Sequence, residues 1–119
     1  MKIIIPGELP DLNTYINAER SNKFAGATLK KEWTNICAWE AKSQCKQQFD
    51  KVFITYHWYC KNKRKDLDNI CYAKKFCNDG LVNAGILLND GWNNVTGFLD
   101  KFYIDKDNPR VEVEIEERS

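Results

Sequence analysis

From Asn69 to about Ala84 the apolar residues Ile70, Ala73, Cys77, Leu81 and Ala84 fall within an arc of roughly 80° at about 100° per residue. That spacing predicts a helix with one buried stripe, and Gly85 supplies its stop signal. Such a stripe must be buried against another element, and the chain offers strands. The isoleucines of MKIIIPGE predict a short strand ended by Pro6 and Gly7. Val52 to Cys60 is aromatic and β-branched, with Val52, Ile54, Tyr56 and Trp58 pointing one way into a core. Val95 to Asp105 predicts a third strand, and Arg110 to Glu116 a fourth, in which Val111, Val113 and Ile115 alternate with Glu112, Glu114 and Glu116. The acidic side of that alternation suits a solvent-facing or edge strand. After a loop to about Leu12, the pattern from Asn13 to Gln48 is helical. Ala25, Gly26 and Ala27 interrupt it, which predicts two helices. Trp33 and Trp39 fall in the second and read as core residues, with a subunit contact as the alternative.

A chain of 119 residues is long enough for one core without metal or disulfide staples, so a single domain over 1–119 is expected. Its 43% hydrophobic and 29% charged residues are those of a globular protein rather than a disordered one, and no apolar run approaches membrane length. Only three consecutive isoleucines precede the first proline, too few for a signal-peptide core, so a cytoplasmic location is expected. Cys37, Cys45, Cys60, Cys71 and Cys77 make an odd count with no Cys-x-x-Cys pair, which predicts reduced, buried thiols. His57 is the only histidine, and the spacing offers it no partners for a zinc site or a Cys/His nucleophile.

The net charge of +1 conceals a segregation. Lys61, Lys63, Arg64, Lys65, Lys74 and Lys75 stand against two aspartates between 61 and 75, whereas six acids face three cations from Asp105 to Ser119. A local basic stripe is an electrostatic footprint for nucleic acid, and equally the pattern of a solvated loop. Inside it, Asp66 and Asp68 alternate around Leu67, so in an extended segment both carboxylates leave one side and can meet a single cation. Oxygen-only ligation suits Mg²⁺ or Mn²⁺. The pair has a second reading, in which Asp66 is a loop acid and Asp68 caps the helix. Further on, Lys75 returns to the side of Asp68 after almost two turns. Lys74 lies about 40° from Ile70, so its stem packs while its amine snorkels. Asp79 is spaced to pair with Lys75 at i, i+4. The run Ile86-Leu87-Leu88 can travel back antiparallel to the helix and carry Asp90 toward the Asp66/Asp68 end.

Asp66-Leu67-Asp68-Asn69, a lysine on the following helix, Asp79-Gly80-Leu81, Ala84-Gly85-Ile86 and Asp90 together resemble the RusA-type Holliday junction resolvases, endonucleases, often phage-encoded, that cut four-way DNA junctions. The motif segment covers residues 64 to 92, while PGELPDLNTYI and PRVEVEI look like the family's opening segment and last strand. The resemblance implies a small α+β fold, a mixed sheet packed by helices, in a homodimer. It also implies phosphodiester hydrolysis dependent on Mg²⁺, with Mn²⁺ as the alternative ion, acting on branched DNA in recombination and repair. Its three essential aspartates fall on Asp66, Asp68 and Asp90, as metal ligands and catalytic residues, and its lysine falls on Lys75, with Lys74 as the alternative. Lys61, Lys63, Arg64, Lys65, Asn69 and Lys74 become DNA contacts. Tyr72 stands where better-known members carry the lysine, and Asn89-Asp90 offers one carboxylate where the family often has two. Two other readings fit the same residues: a non-catalytic branched- or single-stranded-DNA-binding module, and a metal nuclease acting on flaps or Y-forms.

Overall fold

In the computed structural model, which describes residues 1–118, the elements run β1 (Lys2–Pro6), α1 (Leu12–Ser21), α2 (Ala25–Gln44), β2 (Val52–Cys60), α3 (Leu67–Cys71), α4 (Lys74–Asn83), β3 (Val95–Ile104) and β4 (Arg110–Glu117). The strands form one mixed sheet in the order β1-β4-β2-β3. β4 is antiparallel to both β1 and β2, and β2 is parallel to β3. The result is a single α+β domain. Parallel neighbours need a crossover, and here the crossover from β2 to β3 is the segment 61–94, with α3 and α4 inside it.

The inward side of β2 is the one its alternation predicts. Val52, Ile54, Tyr56 and Trp58 are buried in one cluster with Val111, Val113 and Ile115 of β4 and Ile3 and Ile5 of β1. Cys37 and Ala41 of α2 and Phe76, Cys77 and Leu81 of α4 complete that core. The Tyr56 hydroxyl is satisfied by donating to Asn78 Oδ1, and burial pushes its pKa well above the ordinary phenol value. All five cysteines are free thiols, four of them buried and Cys71 partly so. On the opposite side of the sheet, the ring nitrogens of His57 lie 2.9 Å from Tyr103 Oη and 2.7 Å from Glu114 Oε1.

Five expectations are corrected. The break between the first two helices falls at 22–24, where Asn22 is extended and its Oδ1 accepts from Phe24 N at 2.8 Å; Ala25-Gly26-Ala27 instead opens α2. A side chain on Gly26 would meet Glu19 Cγ at 2.4 Å, so the small residues serve the crossing of α1 and α2. The same helix stops at Gln44 rather than Gln48. The helix expected over 69–84 is two helices, joined at Tyr72-Ala73 by tight i→i−3 bonds such as Lys75 N to Tyr72 O at 3.1 Å; Gly85, at φ +77°, follows α4 as its stop. β4 is interior rather than an edge strand, because β1 pairs along its outer side. Its Glu112 is buried, salt-bridged to Lys2 at 3.2 Å and to Arg110 at 2.7 Å. Burial raises the Glu112 pKa, but the hydrogen bonds from Arg110 and Lys2 outweigh it and hold the carboxyl below its ordinary value. Nor are both tryptophans of α2 core residues: Trp33 packs against the core, whereas Trp39 is exposed.

α2 and α4 approach most closely at Gly80, where a Cβ would lie 2.6 Å from Cys37 Cβ and 2.8 Å from Ala38 N. The second of these is backbone and cannot swing away. Gly80→Ala should therefore destabilise the fold by about 1–3 kcal/mol through overpacking, despite alanine's better helix propensity. Urea denaturation of the two proteins measures this.

Candidate functional site

The chain leaves β2 at Cys60 and enters the basic loop. Lys61, Lys63, Arg64 and Lys65 are all exposed. Lys61 is tethered at both ends of the residue, its backbone N–H donating to Glu8 Oε2 at 3.0 Å and its Nζ lying 3.9 Å from Glu8 Oε1. Lys65 Nζ lies 3.7 Å from Asp11, which caps α1 by accepting from Thr14 N at 2.9 Å. Burial raises the Asp11 pKa, yet the hydrogen bonds from Thr14 and the charge of Lys65 bring it below the ordinary carboxylate range. Among the described residues, Lys63 and Arg64 make no ion pair. The loop is thus anchored by its outer cations and presents its middle ones to solvent.

The two aspartates take different backbone states. Asp66 is extended and occupies the N-cap position of α3, but its side chain makes no cap hydrogen bond. Asp68 already lies within the helix, and its Oδ1 accepts from Asn69 N at 3.0 Å. The capping alternative for Asp68 therefore fails, and so does the extended geometry that would send both carboxylates to one side. Both acids are exposed and neither is in an ion pair among the described residues.

The adjacent lysines divide as their helical phases predict. Lys74 Nζ pairs with Asp100 Oδ2 at 2.6 Å and sits over the rings of Phe98 and Tyr56, at 5.2 and 5.8 Å. Asp100 also accepts from Trp58 Nε1 at 3.0 Å, so this half-buried pair ties α4 to β2 and β3. Lys75, by contrast, is exposed, with Nζ 3.3 Å from Asp79 and 3.9 Å from Asp90. The i, i+4 pair is the expected one. Lys30 of α2 lies 4.0 Å from the other oxygen of Asp79, so charges alternate from α2 through α4 to the loop of Asp90. The run Ile86-Leu87-Leu88 heads in the direction of β2, Leu87 forming a parallel bridge with Phe49, and it brings Asp90 to Lys75 of α4. A cleft of about 640 Å³ borders the same acids and is lined also by Lys30, Lys31 and Thr34.

The described residues contain no group of three or more His, Cys, Asp or Glu side chains close enough to share a metal ion. Asp66, Asp68 and Asp90 are therefore oxygen donors of the right kind for Mg²⁺ but do not form one cluster in this arrangement. Asp100 was not singled out by the sequence pattern; the available signal was a lone acid on the inward phase of an otherwise aromatic strand, Phe98-x-Asp100-x-Phe102. The Cys71 thiol is pushed up mainly by burial and then by the charge of Asp100, against the pull of Lys74, with a smaller push from Asp68. Tyr72, at the position of the resemblance's missing lysine, packs its ring against Tyr15 and Phe76. No protein-family model matches the chain, and no curated protein matches its sequence.

Removing Asp100 leaves a half-buried ammonium and an indole N–H unpaired, so Asp100→Ala should cost about 1–3 kcal/mol of stability. Lys75→Ala removes an exposed pair and should cost less than about 1 kcal/mol. Urea denaturation of both variants separates the structural lysine contact from the free one.

Proposed function

We propose that this chain is a metal-dependent, structure-specific endonuclease that cuts branched DNA, with the four-way junction as its substrate. The observation that carries this is the approach of Lys75 to Asp90 at 3.9 Å, within the same crossover segment, 61–94, that carries the exposed Asp66, Asp68 and basic loop. The resemblance of residues 64 to 92 to RusA-type resolvases supports it from sequence. Asp66, Asp68 and Asp90 would hold Mg²⁺, or Mn²⁺ in its place; the bound ion supplies a Lewis acid and an activated water for phosphodiester hydrolysis. Three unneutralised carboxylates repel one another, so a divalent cation is what would draw them together. Lys75 adds positive charge where negative charge grows on the phosphate. Lys63 and Arg64, flanked by Lys61 and Lys65, grip phosphates without reading sequence, with Asn69 beside them on α3. Lys74 acts by holding Asp100 rather than by touching DNA. The cleft lined by Lys30 and Lys31 offers the strand a further path past Asp90.

The separation of the three carboxylates favours a second reading, a branched- or single-strand-binding module without catalysis. A cleavage assay on a synthetic mobile four-way junction, beside flap, Y-form and linear duplex substrates, distinguishes the two. We expect paired nicks on the junction in Mg²⁺ and none in EDTA. Asp66→Asn and Asp90→Asn should abolish cleavage while preserving junction binding, and Lys75→Ala should slow it about 10²- to 10³-fold. Wild-type rates from either aspartate variant would overturn the assignment; junction binding with no cleavage in any metal would install the binding module instead, and cleavage confined to flaps would reassign the substrate.

Paired nicking on opposed strands needs two sites related by a two-fold axis, which a homodimer provides. Light scattering should therefore give the mass of two chains. A stable monomer that still resolves junctions would refute the dimer.

A further inference from the structure

Most aromatic rings of this protein have a partner inside the fold. Tyr56 stacks on Trp58 and Tyr59 on Tyr103, while Tyr72 joins Tyr15. Trp92, like the 69% exposed Trp39, has no ring or cation packed against it among the described residues, and it is set apart by being 100% exposed. The loop that presents it is firmly held. Phe49 N donates to Ile86 O at 2.8 Å on the incoming side. On the outgoing side Gly91 O accepts from Asn94 N and Val95 N at 3.1 and 2.9 Å, and the buried Asn94 amide donates to Asp50 O at 2.7 Å. A pinned loop that holds an indole in water forgoes one of the largest hydrophobic gains a side chain offers.

Trp92 shares an open recess of about 280 Å³ with Asp90, Val95, Thr96 and Phe98. Phe98 is itself 41% exposed, and Lys74 Nζ lies over its ring. Two aromatic side chains, one carrying a cation, thus share a recess with the carboxylate that faces Lys75. Resting on the nuclease reading above, we infer that Trp92 and Phe98 form a stacking site for an unpaired nucleobase beside the phosphodiester at Asp90. Of the residues around the indole, Asn89, Asp90, Gly91, Asn93 and Thr96 are polar or lack a side chain, and only Leu88, Val95 and Phe98 are apolar. They suit a flat ligand with an apolar face and a hydrogen-bonding edge better than the roughly 800 Å² per partner of a stable protein interface. In a continuous duplex every base already stacks on its neighbours, so only a branch point or a strand end offers a free face. The site would therefore select branched over linear DNA.

Binding in EDTA, where metal-dependent cleavage is silent, tests this on a four-way junction and a linear duplex of equal arm length. Trp92→Ala should weaken junction binding about 5- to 150-fold, the range expected for one lost base–aromatic stack. Duplex binding should stay within about twofold, and Trp92→Phe should restore most of the loss. 2-Aminopurine placed at the branch should be quenched by the wild type and not by Trp92→Ala. Because the indole is fully exposed and buries nothing in the core, failure to fold is not a competing outcome. Equal losses on junction and duplex, or no loss on either, would overturn the stacking site. So would a fall in solution mass for Trp92→Ala, which would place Trp92 and the neighbouring exposed Leu88 between two copies of the chain. Junction cleavage that persists with unaltered affinity in Trp92→Ala defeats this inference alone, whereas a wild type that neither binds nor cuts any DNA defeats the nuclease reading on which it rests.

Discussion

Everything at the candidate site depends on the parallel pairing of β2 with β3. Those strands are joined in register from Phe53–Gly97 to Cys60–Ile104, and two parallel neighbours cannot be linked by a short turn. The chain must leave one end of the sheet and re-enter at the other, and it does so with the basic loop, α3, α4 and the loop of Asp90 in succession. Within that route, the contact of Gly80 with Cys37 and Ala38 lets α4 lie close against α2. Between the same two helices Lys30 reaches Asp79 at 4.0 Å. A connection required by topology therefore also determines which charges meet.

The strands were largely legible because their cue is local. β2 announces its inward side by alternation, and the burial of Val52, Ile54, Tyr56 and Trp58 follows it. The place of β4 in the sheet was not legible, since whether a strand is an edge depends on which other strand finds it, here β1 from the far end of the chain. Its glutamates alternate as a solvent-facing strand's would, but Glu112 is buried between Lys2 and Arg110, and Glu114 reaches His57. Acids read as solubility devices are in part members of cross-strand polar contacts. Likewise Ala25-Gly26-Ala27 carries the composition of a break, yet the pressure for small side chains came from Glu19 on the neighbouring helix.

The site was legible in its angular terms and not in its distances. Helical phase separated Lys74 from Lys75 even though the helix is broken at Tyr72-Ala73, because both lysines lie on the same side of that break, in α4. The relation of Asp66 to Asp68 depended on an extended segment, and the start of α3 at Leu67 removed that premise. Asp100 escaped notice since nothing near it in sequence indicates that Trp58 and Lys74 converge there.

The row Lys30, Asp79, Lys75, Asp90, with gaps of 4.0, 3.3 and 3.9 Å, has a consequence for ion exchange. Lys75 is a tethered counter-ion: it is shared between an acid on its own helix and one on a separate loop, and neither contact is short. Any mobile cation arriving at Asp90 competes with an ammonium that is already present and has somewhere else to go. A cation that took that place would leave Lys75 still paired with Asp79, so neither carboxylate would stand without a positive charge beside it.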